Sequence, residues 1–332
     1  MKQEESPWQV HKTKIIIGFQ ILLSTALFYL LFSKIHIDDI KFLFLQSDPL
    51  IFAGVVGIKA VSIAASVFTL ITIIYFFNHK IPKRKLSKIY FSSLFYNNLG
   101  VGTIGGDTYK WFAIKREISS KEQATLILIT EKIVNFSMLV SFFALGSLIV
   151  YFSFHPASII LTIPLALVLI FLVQLVLQAF TQSKLFKFLS KFNKVKILFD
   201  HFELFYKVKP LHLSVAPVFS FLFCLMNVAT LALIVHSLND SIPVSFSFLV
   251  IPVVILFTTL PLSFQGFGLR EISITYMFSL FGYSLYIGAV AALLLLLANL
   301  LVSLLSGIYV LFQFKKSLGK SQEDKDSWHN RN

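Results

Sequence analysis

Arg270 and Glu271 have the clearest chemical potential in this sequence, because they are the only charged residues of a long apolar stretch near the C-terminus. Charged side chains in such a stretch are costly, and they face a bundle interior or a cavity. The planar guanidinium of arginine binds two phosphate oxygens at once. Gly266 and Gly268 permit a tight turn just before the pair. With Ser263 these residues form a candidate headgroup site, and the alternative is that the charged pair only fastens the turn.

A second candidate site contains Gly105, Gly106, Asp107 and Lys110. Four glycines fall within seven residues here, and each lowers helix stability by about 1 kcal/mol relative to alanine. We therefore predict a break in the backbone and a helix that restarts at Asp107 as its N-cap. The free amides of that helix would attract an anion, and Lys110 would add a positive charge. The alternative is an interfacial turn with Lys110 extending to water.

Glu131 and Lys132 lie three turns into the following helix, where we expect them to face the first break and to complete the headgroup site. Lys59 is the single charge of another apolar segment. We expect its amine to extend to the membrane surface.

The composition indicates which elements must hold these residues. Of the 332 residues 56% are apolar and 14% are charged, whereas soluble domains have about 45–50% and about 25%. This composition predicts an integral membrane protein. We therefore attribute the net charge of +13 to basic loops that set the membrane orientation, and we expect no nucleic-acid partner. The predicted fold is all-α and polytopic, with apolar segments at residues 15–32, 49–77, 124–154, 156–183, 213–235 and 272–314. The last segment would reach about 65 Å as one helix, so we predict a break at residues 281–284.

Loop charges predict the orientation. Lys and Arg concentrate in residues 1–14, 78–90, 110–122, 181–210 and 315–332, and such loops stay in the cytoplasm. We therefore expect a multi-pass protein of the cell (inner or plasma) membrane with both termini cytoplasmic. Residues 181–210 are predicted to be an amphipathic loop on the inner leaflet.

This topology requires two segments to enter and leave the membrane on the same side. Residues 91–109 would open from the cytoplasm and residues 242–285 from outside. We therefore predict about six full spans plus two re-entrant broken-helix hairpins in a single domain, residues 1–332, with a cytoplasmic tail at 315–332. Its halves, about 14–154 and 156–314, would form the inverted repeat common in transporters.

Soluble-type catalytic motifs are absent from the sequence. There is no HExxH zinc motif, no nucleophile elbow and no phosphate-binding P-loop. The single cysteine, Cys224, excludes an intramolecular disulfide framework. We expect no metal and no cofactor.

Both breaks resemble the signatures of the lysylphosphatidylglycerol synthase transmembrane-region family, whose members are flippase-like membrane proteins. The first signature comprises Asn98, Gly105, Gly106, Asp107, Tyr109, Lys110, Ser119, Ala124, Glu131 and Lys132. The second comprises Leu260, Pro261, Leu262, Ser263, Gly266, Phe267, Gly268, Leu269, Arg270, Glu271, Phe278, Phe281, Gly282 and Ala289. The similarity covers about residues 10–316. Lys110 and Lys132 stand where the family usually has arginine, which keeps the charge but loses the bidentate geometry.

The resemblance implies a protein that binds and translocates an anionic or phosphate-bearing lipid in envelope lipid metabolism. Larger members carry a cytosolic aminoacyl-transfer domain, which we do not expect in this chain. The substrate would be an anionic phospholipid or a polyprenyl-phosphate-linked sugar. An alternative is a membrane-embedded transferase acting on a lipid-linked sugar or aminoacyl lipid, with Asp107, Glu131 or Glu271 as its base. Another is an accessory subunit of a lipid-modifying enzyme, and a homo-oligomer also remains open.

Overall fold

The computed structural model describes residues 22, 24–27, 29, 48–97, 104–152, 215–238, 242–259, 263 and 266–329. In these ranges the regular structure is helical and contains no strand. The helices with defined bounds are α1 (Pro49–Phe76), α2 (Lys83–Asn97), α3 (Ile104–Ile118), α4 (Lys121–Phe152), α5 (Val215–Leu238), α6 (Ser245–Thr259), α7 (Leu269–Leu280) and α8 (Leu285–His329). The predicted span at 156–183 and the loop at 181–210 lie outside the described residues.

Four helices are long and apolar enough to cross a membrane. They are α1, α5, the first 29 residues of α4 (Lys121–Ile149) and the first 29 of α8 (Leu285–Gln313). Three of them coincide with the segments predicted at 49–77, 124–154 and 213–235. Of the predicted first span, residues 22, 24–27 and 29 are described, and they are helical.

α1 and α5 form the most extensive helix pair in the described part of the chain. α1 begins in the way its sequence predicts, with Asp48 as N-cap and a proline at the first helical position. The Asp48 carboxylate accepts the Leu50 N–H at 2.8 Å. Small polar side chains of α1, such as Ser62 and Ser66, are buried, which is typical of closely packed membrane helices.

The break predicted at residues 281–284 is confirmed. α7 ends at Leu280 and α8 begins at Leu285. Gly282 lies between them with φ +79°, a conformation that glycine adopts without steric cost. The N–H of Tyr283 reaches back to the Phe278 carbonyl at 2.9 Å, and this bond closes the end of α7.

Four shorter helices flank the two glycine-rich segments of the sequence. α2 and α3 have 15 residues each and pack against each other, and α6 and α7, with 15 and 12 residues, form a second packed pair. At about 1.5 Å per residue each of them is about 18 to 22 Å long, short of the hydrocarbon thickness of about 30 Å.

α8 holds α2 in place through Ser306. Its hydroxyl accepts the Phe95 N–H at 3.1 Å and donates to the Phe91 carbonyl. The serine thus bridges a donor and an acceptor four residues apart in α2, where one helical hydrogen bond would otherwise form. Next to it, Gly307 lies against the Phe95 ring.

The prediction that a helix restarts at Asp107 is wrong, because α3 already begins at Ile104. Gly105 and Gly106 lie in its first turn, and Asp107 does not cap it. The N–H of Gly106 donates instead to the side-chain oxygen of Asn97 in α2, at 2.9 Å. This tertiary contact satisfies a free amide of the helix start and offsets the low helix propensity of glycine.

Candidate functional site

Four charged residues of α3 and α4 form one network. The Lys110 amine lies 2.9 Å from both carboxylate oxygens of Glu131 and 3.1 Å from the Asp107 carboxylate. The other Asp107 oxygen lies 2.6 Å from the Lys132 amine. Glu131 and Lys132 of α4 thus both contact charged residues in α3.

The members of this network differ in how far they are available to a ligand. Lys110 and Glu131 are buried, and the Lys110 amine also lies 5.1 Å from the centre of the Tyr90 ring. A ligand therefore has little access to Lys110, whereas the Lys132 side chain is 51% exposed. The four formal charges of the network sum to zero. Lys110 joins α3 to α4 through Glu131, and Lys132 is the accessible cation of the network.

Gly106 allows α2 and α3 to approach closely. A Cβ atom at this position would lie 2.4 Å from the Ser93 carbonyl oxygen and 2.3 Å from the Asn97 side-chain oxygen. Real Cβ atoms do not come so close to backbone, so only glycine fits without moving the helices. The glycine therefore has a packing role here, besides any contact with a ligand.

The second break has the form that its sequence predicts. Gly266 and Gly268 have φ of +76° and +78°, and α7 begins at Leu269, immediately after them. The Glu271 carboxylate accepts the Gly268 N–H at 2.7 Å, which closes the helix start as a capping box does. A Cβ on Gly268 would lie 2.8 Å from that of Leu27, so the turn packs against the N-terminal helical segment.

Arg270 and Glu271 have different roles in this turn. Glu271 is fully buried and fastens the turn, as the alternative interpretation of the sequence expected. The half-buried Arg270 guanidinium makes no hydrogen bond and no ion pair with the described residues. An arginine has five N–H donors, and none of those of Arg270 has an acceptor in the described part of the chain.

Two more polar atoms of this turn are buried without partners in the described part of the chain. They are the Ser263 hydroxyl and the second carboxylate oxygen of Glu271. Buried polar groups normally have a partner, and an exception calls for an explanation such as a ligand or a water molecule. Both belong to the site predicted from the sequence.

Lys59 does not extend to the membrane surface as expected. Its amine donates to the side-chain oxygen of Asn227 in α5, at 2.7 Å. Asn227 in turn donates to Ser62 at 2.8 Å and to the Phe223 carbonyl at 2.7 Å. Arg270 interacts electrostatically with the Lys59 amine and with the Glu271 carboxylate.

Sequence reasoning missed Asn227 altogether. The signal was a single amide side chain in the apolar sequence of α5, and Lys59 was a matching single cation in α1. Neither residue identifies its partner, because the pairing depends on the register of two helices far apart in the chain. No hydrogen bond or ion pair between described residues joins this region to the Asp107 network.

The comparison with known families agrees with this helical architecture. No curated protein shows significant sequence similarity to the chain. The model of one family, described as the lysylphosphatidylglycerol synthase TM region, matches residues 15–307. This range includes all of α1, α4 and α5, the part of α8 up to Gly307, and both glycine-rich segments. The chain therefore belongs to the lysylphosphatidylglycerol synthase TM region family and is a multi-pass membrane protein of this lipid-related family.

Proposed function

We propose that this protein binds an anionic or phosphate-bearing lipid and moves it between the two leaflets of the cell membrane. The observation that carries the proposal is the Arg270 guanidinium in the first turn of α7, which has no hydrogen-bond acceptor among the described residues. A cation in that position is costly unless it binds an anion. A lipid phosphate supplies the oxygens that its planar donors fit.

The short helices give this site a path across the membrane. In the proposal the α2–α3 pair and the α6–α7 pair are re-entrant hairpins that open from opposite sides. Their lengths support this, since each helix is too short to cross alone, and irregular backbone at membrane depth lies inside protein or beside water. The two halves then form an inverted repeat with both termini in the cytoplasm.

The candidate headgroup residues divide between the two hairpins. On the cytoplasmic side, Lys132 contacts the phosphate, while Gly105, Gly106, Asp107, Lys110 and Glu131 shape and support the helix start. On the outer side Arg270 contacts the phosphate. Ser263, Gly266 and Gly268 belong to the turn before Arg270, and Glu271 holds that turn through the Gly268 N–H.

Replacing Arg270 tests the proposal most specifically. The Arg270→Gln and Lys59→Gln variants keep hydrogen-bond donors but lose the charge. We expect each to slow the movement of labelled phosphatidylglycerol or polyprenyl phosphate in reconstituted liposomes by about tenfold, equivalent to about 1.4 kcal/mol of lost interaction.

The matched control is Lys80→Gln, which removes the same charge from an exposed residue outside the helices. It should leave the rate unchanged. If both site variants move the two lipids as fast as the wild-type protein, the assignment of the phosphate to Arg270 is wrong.

The transferase alternative requires a carboxylate that can take up a proton. Asp107 and Glu131 are held by lysines, and Glu271 closes the start of α7. These contacts favour binding over general-base chemistry. Product analysis with purified protein and a lipid-linked sugar decides between them, because a transferase yields a covalently changed lipid.

A further inference from the structure

A basic cleft of about 820 Å³ lies between α2, α3 and the end of the apolar part of α8. Four cations line it: Arg84, Lys85, Lys88 and Arg116. Lys85 is paired with Glu117, which also lines the cleft. The other three make no hydrogen bond or ion pair with the described residues, so the cleft has unbalanced positive charge.

The lining of the cleft also includes apolar side chains. Ile89, Phe112 and Ala113 line it together with the Tyr109 ring, and Phe112 is 60% exposed. The cleft therefore offers cations for a charged group and, next to them, hydrocarbon surface for a chain. This combination suits an amphiphile better than a small soluble anion.

The position of the cleft coincides with the boundary between apolar and basic sequence. The apolar span of α8 ends at Gln313, which lines the cleft, and Lys315 follows two residues later. α2 begins with a basic turn, and α3 ends with one that includes Arg116. Three helices thus change character at the same level, as they do where hydrocarbon meets headgroups.

We infer that this cleft binds the phosphate-bearing headgroup of an anionic lipid from the adjacent leaflet. Its volume lies within the range of about 300–1,000 Å³ typical of ligand pockets, and basic pockets between membrane helices bind anionic headgroups elsewhere. The binding does not depend on translocation. Its role as the place where a lipid is held before transport rests on the proposed function.

The test measures the affinity of the purified full-length protein in detergent for dioctanoyl phosphatidylglycerol. Two further ligands separate the contributions of charge and chain. Dioctanoyl phosphatidylcholine has the same acyl chains but no net charge, and glycerol phosphate has a phosphate group but no acyl chains. We expect phosphatidylglycerol to bind at least about tenfold more tightly than either, and its binding to weaken when salt is raised.

The cleft variant is Arg84→Gln/Lys88→Gln. Its matched control is Lys83→Gln/Lys121→Gln, which removes two exposed lysines, at the starts of α2 and α4, that do not line the cleft. We expect the cleft variant to bind phosphatidylglycerol about tenfold more weakly and the control to bind like wild type. All four side chains are exposed, so folding is retained, and the salt titration of the wild-type protein provides a second, independent measurement.

Three results would overturn the inference: equal affinity for the two phospholipids, equal affinity for glycerol phosphate, or equal effects of cleft and control variants. Binding to Arg270→Gln protein separates this inference from the proposed function. If that variant binds phosphatidylglycerol like wild type but the wild-type protein moves no lipid, the inference of a lipid-binding cleft is supported and the proposal of lipid translocation is wrong.

Discussion

At the scale of single residues, the charged side chains divide into structural pairs and available cations. Lys110, Glu131 and Asp107 satisfy one another, whereas Arg270 has no acceptor among the described residues. The sequence correctly marked all of them as exceptional, since each is a charge in an apolar setting. It did not show which were paired, because pairing depends on how α3 and α4 pack.

The Lys110–Glu131 pair predicts a specific pattern of stability. Lys110→Met leaves a buried carboxylate without its main partner and should lower the free energy of unfolding by about 3–5 kcal/mol. Lys110→Met/Glu131→Leu removes both charges and should recover most of that loss, because apolar replacements of a buried pair are often neutral. Thermal or denaturant titration of the proteins in detergent measures both free energies of unfolding. A double variant as unstable as the single one contradicts the pairing.

At the scale of helices and turns, the positive-φ glycines before and after α7 were predictable, and the start of α3 was not. Gly266, Gly268 and Gly282 all have positive φ, and local sequence is enough to predict turns at such glycines. The start of α3 at Ile104 was not predictable, because its first turn depends on Asn97 from another helix. Local propensity alone placed the helix start three residues too late.

Gly106→Ala tests the close approach of α2 and α3. The added methyl group would meet the Ser93 carbonyl oxygen at 2.4 Å, so the helices must separate or α3 must lose its first turn. We expect destabilisation of about 1–3 kcal/mol and slower lipid movement.

The control for this substitution is Gly57→Ala in α1, where a Cβ meets nothing within 4 Å. Alanine favours helix over glycine by about 1 kcal/mol, so this variant should be as stable as wild type or more so. Equal thermal stability of the Gly106→Ala and Gly57→Ala proteins would show that the approach is not close.

At the scale of the whole molecule, the apolar composition predicted a helical membrane protein, and the long helices confirm it. The distribution of Lys and Arg among the loops predicts the orientation through the positive-inside rule. Sequence could not identify the cleft between α2, α3 and α8, because its lining residues come from three segments that meet only after folding.

Cysteine labelling tests the proposed topology. In a Cys224→Ser background, Lys83→Cys and Lys121→Cys lie just before and just after the α2–α3 pair, and both should react from the cytoplasmic side. Val244→Cys and Ser284→Cys flank the α6–α7 pair and should both react from outside. Labelling of Lys83→Cys and Lys121→Cys from opposite sides would mean that residues between them cross the membrane, which contradicts a re-entrant hairpin.

The central claim is lipid movement, and the most direct measurement is the rate at which wild-type protein transfers labelled lipid between the leaflets of reconstituted liposomes. Phosphatidylglycerol and polyprenyl phosphate are compared with phosphatidylcholine in protein-containing and protein-free vesicles. The account predicts that at least one phosphate-bearing anionic lipid moves at least about tenfold faster with protein, while phosphatidylcholine does not. Transfer of both anionic lipids at the protein-free rate would contradict it.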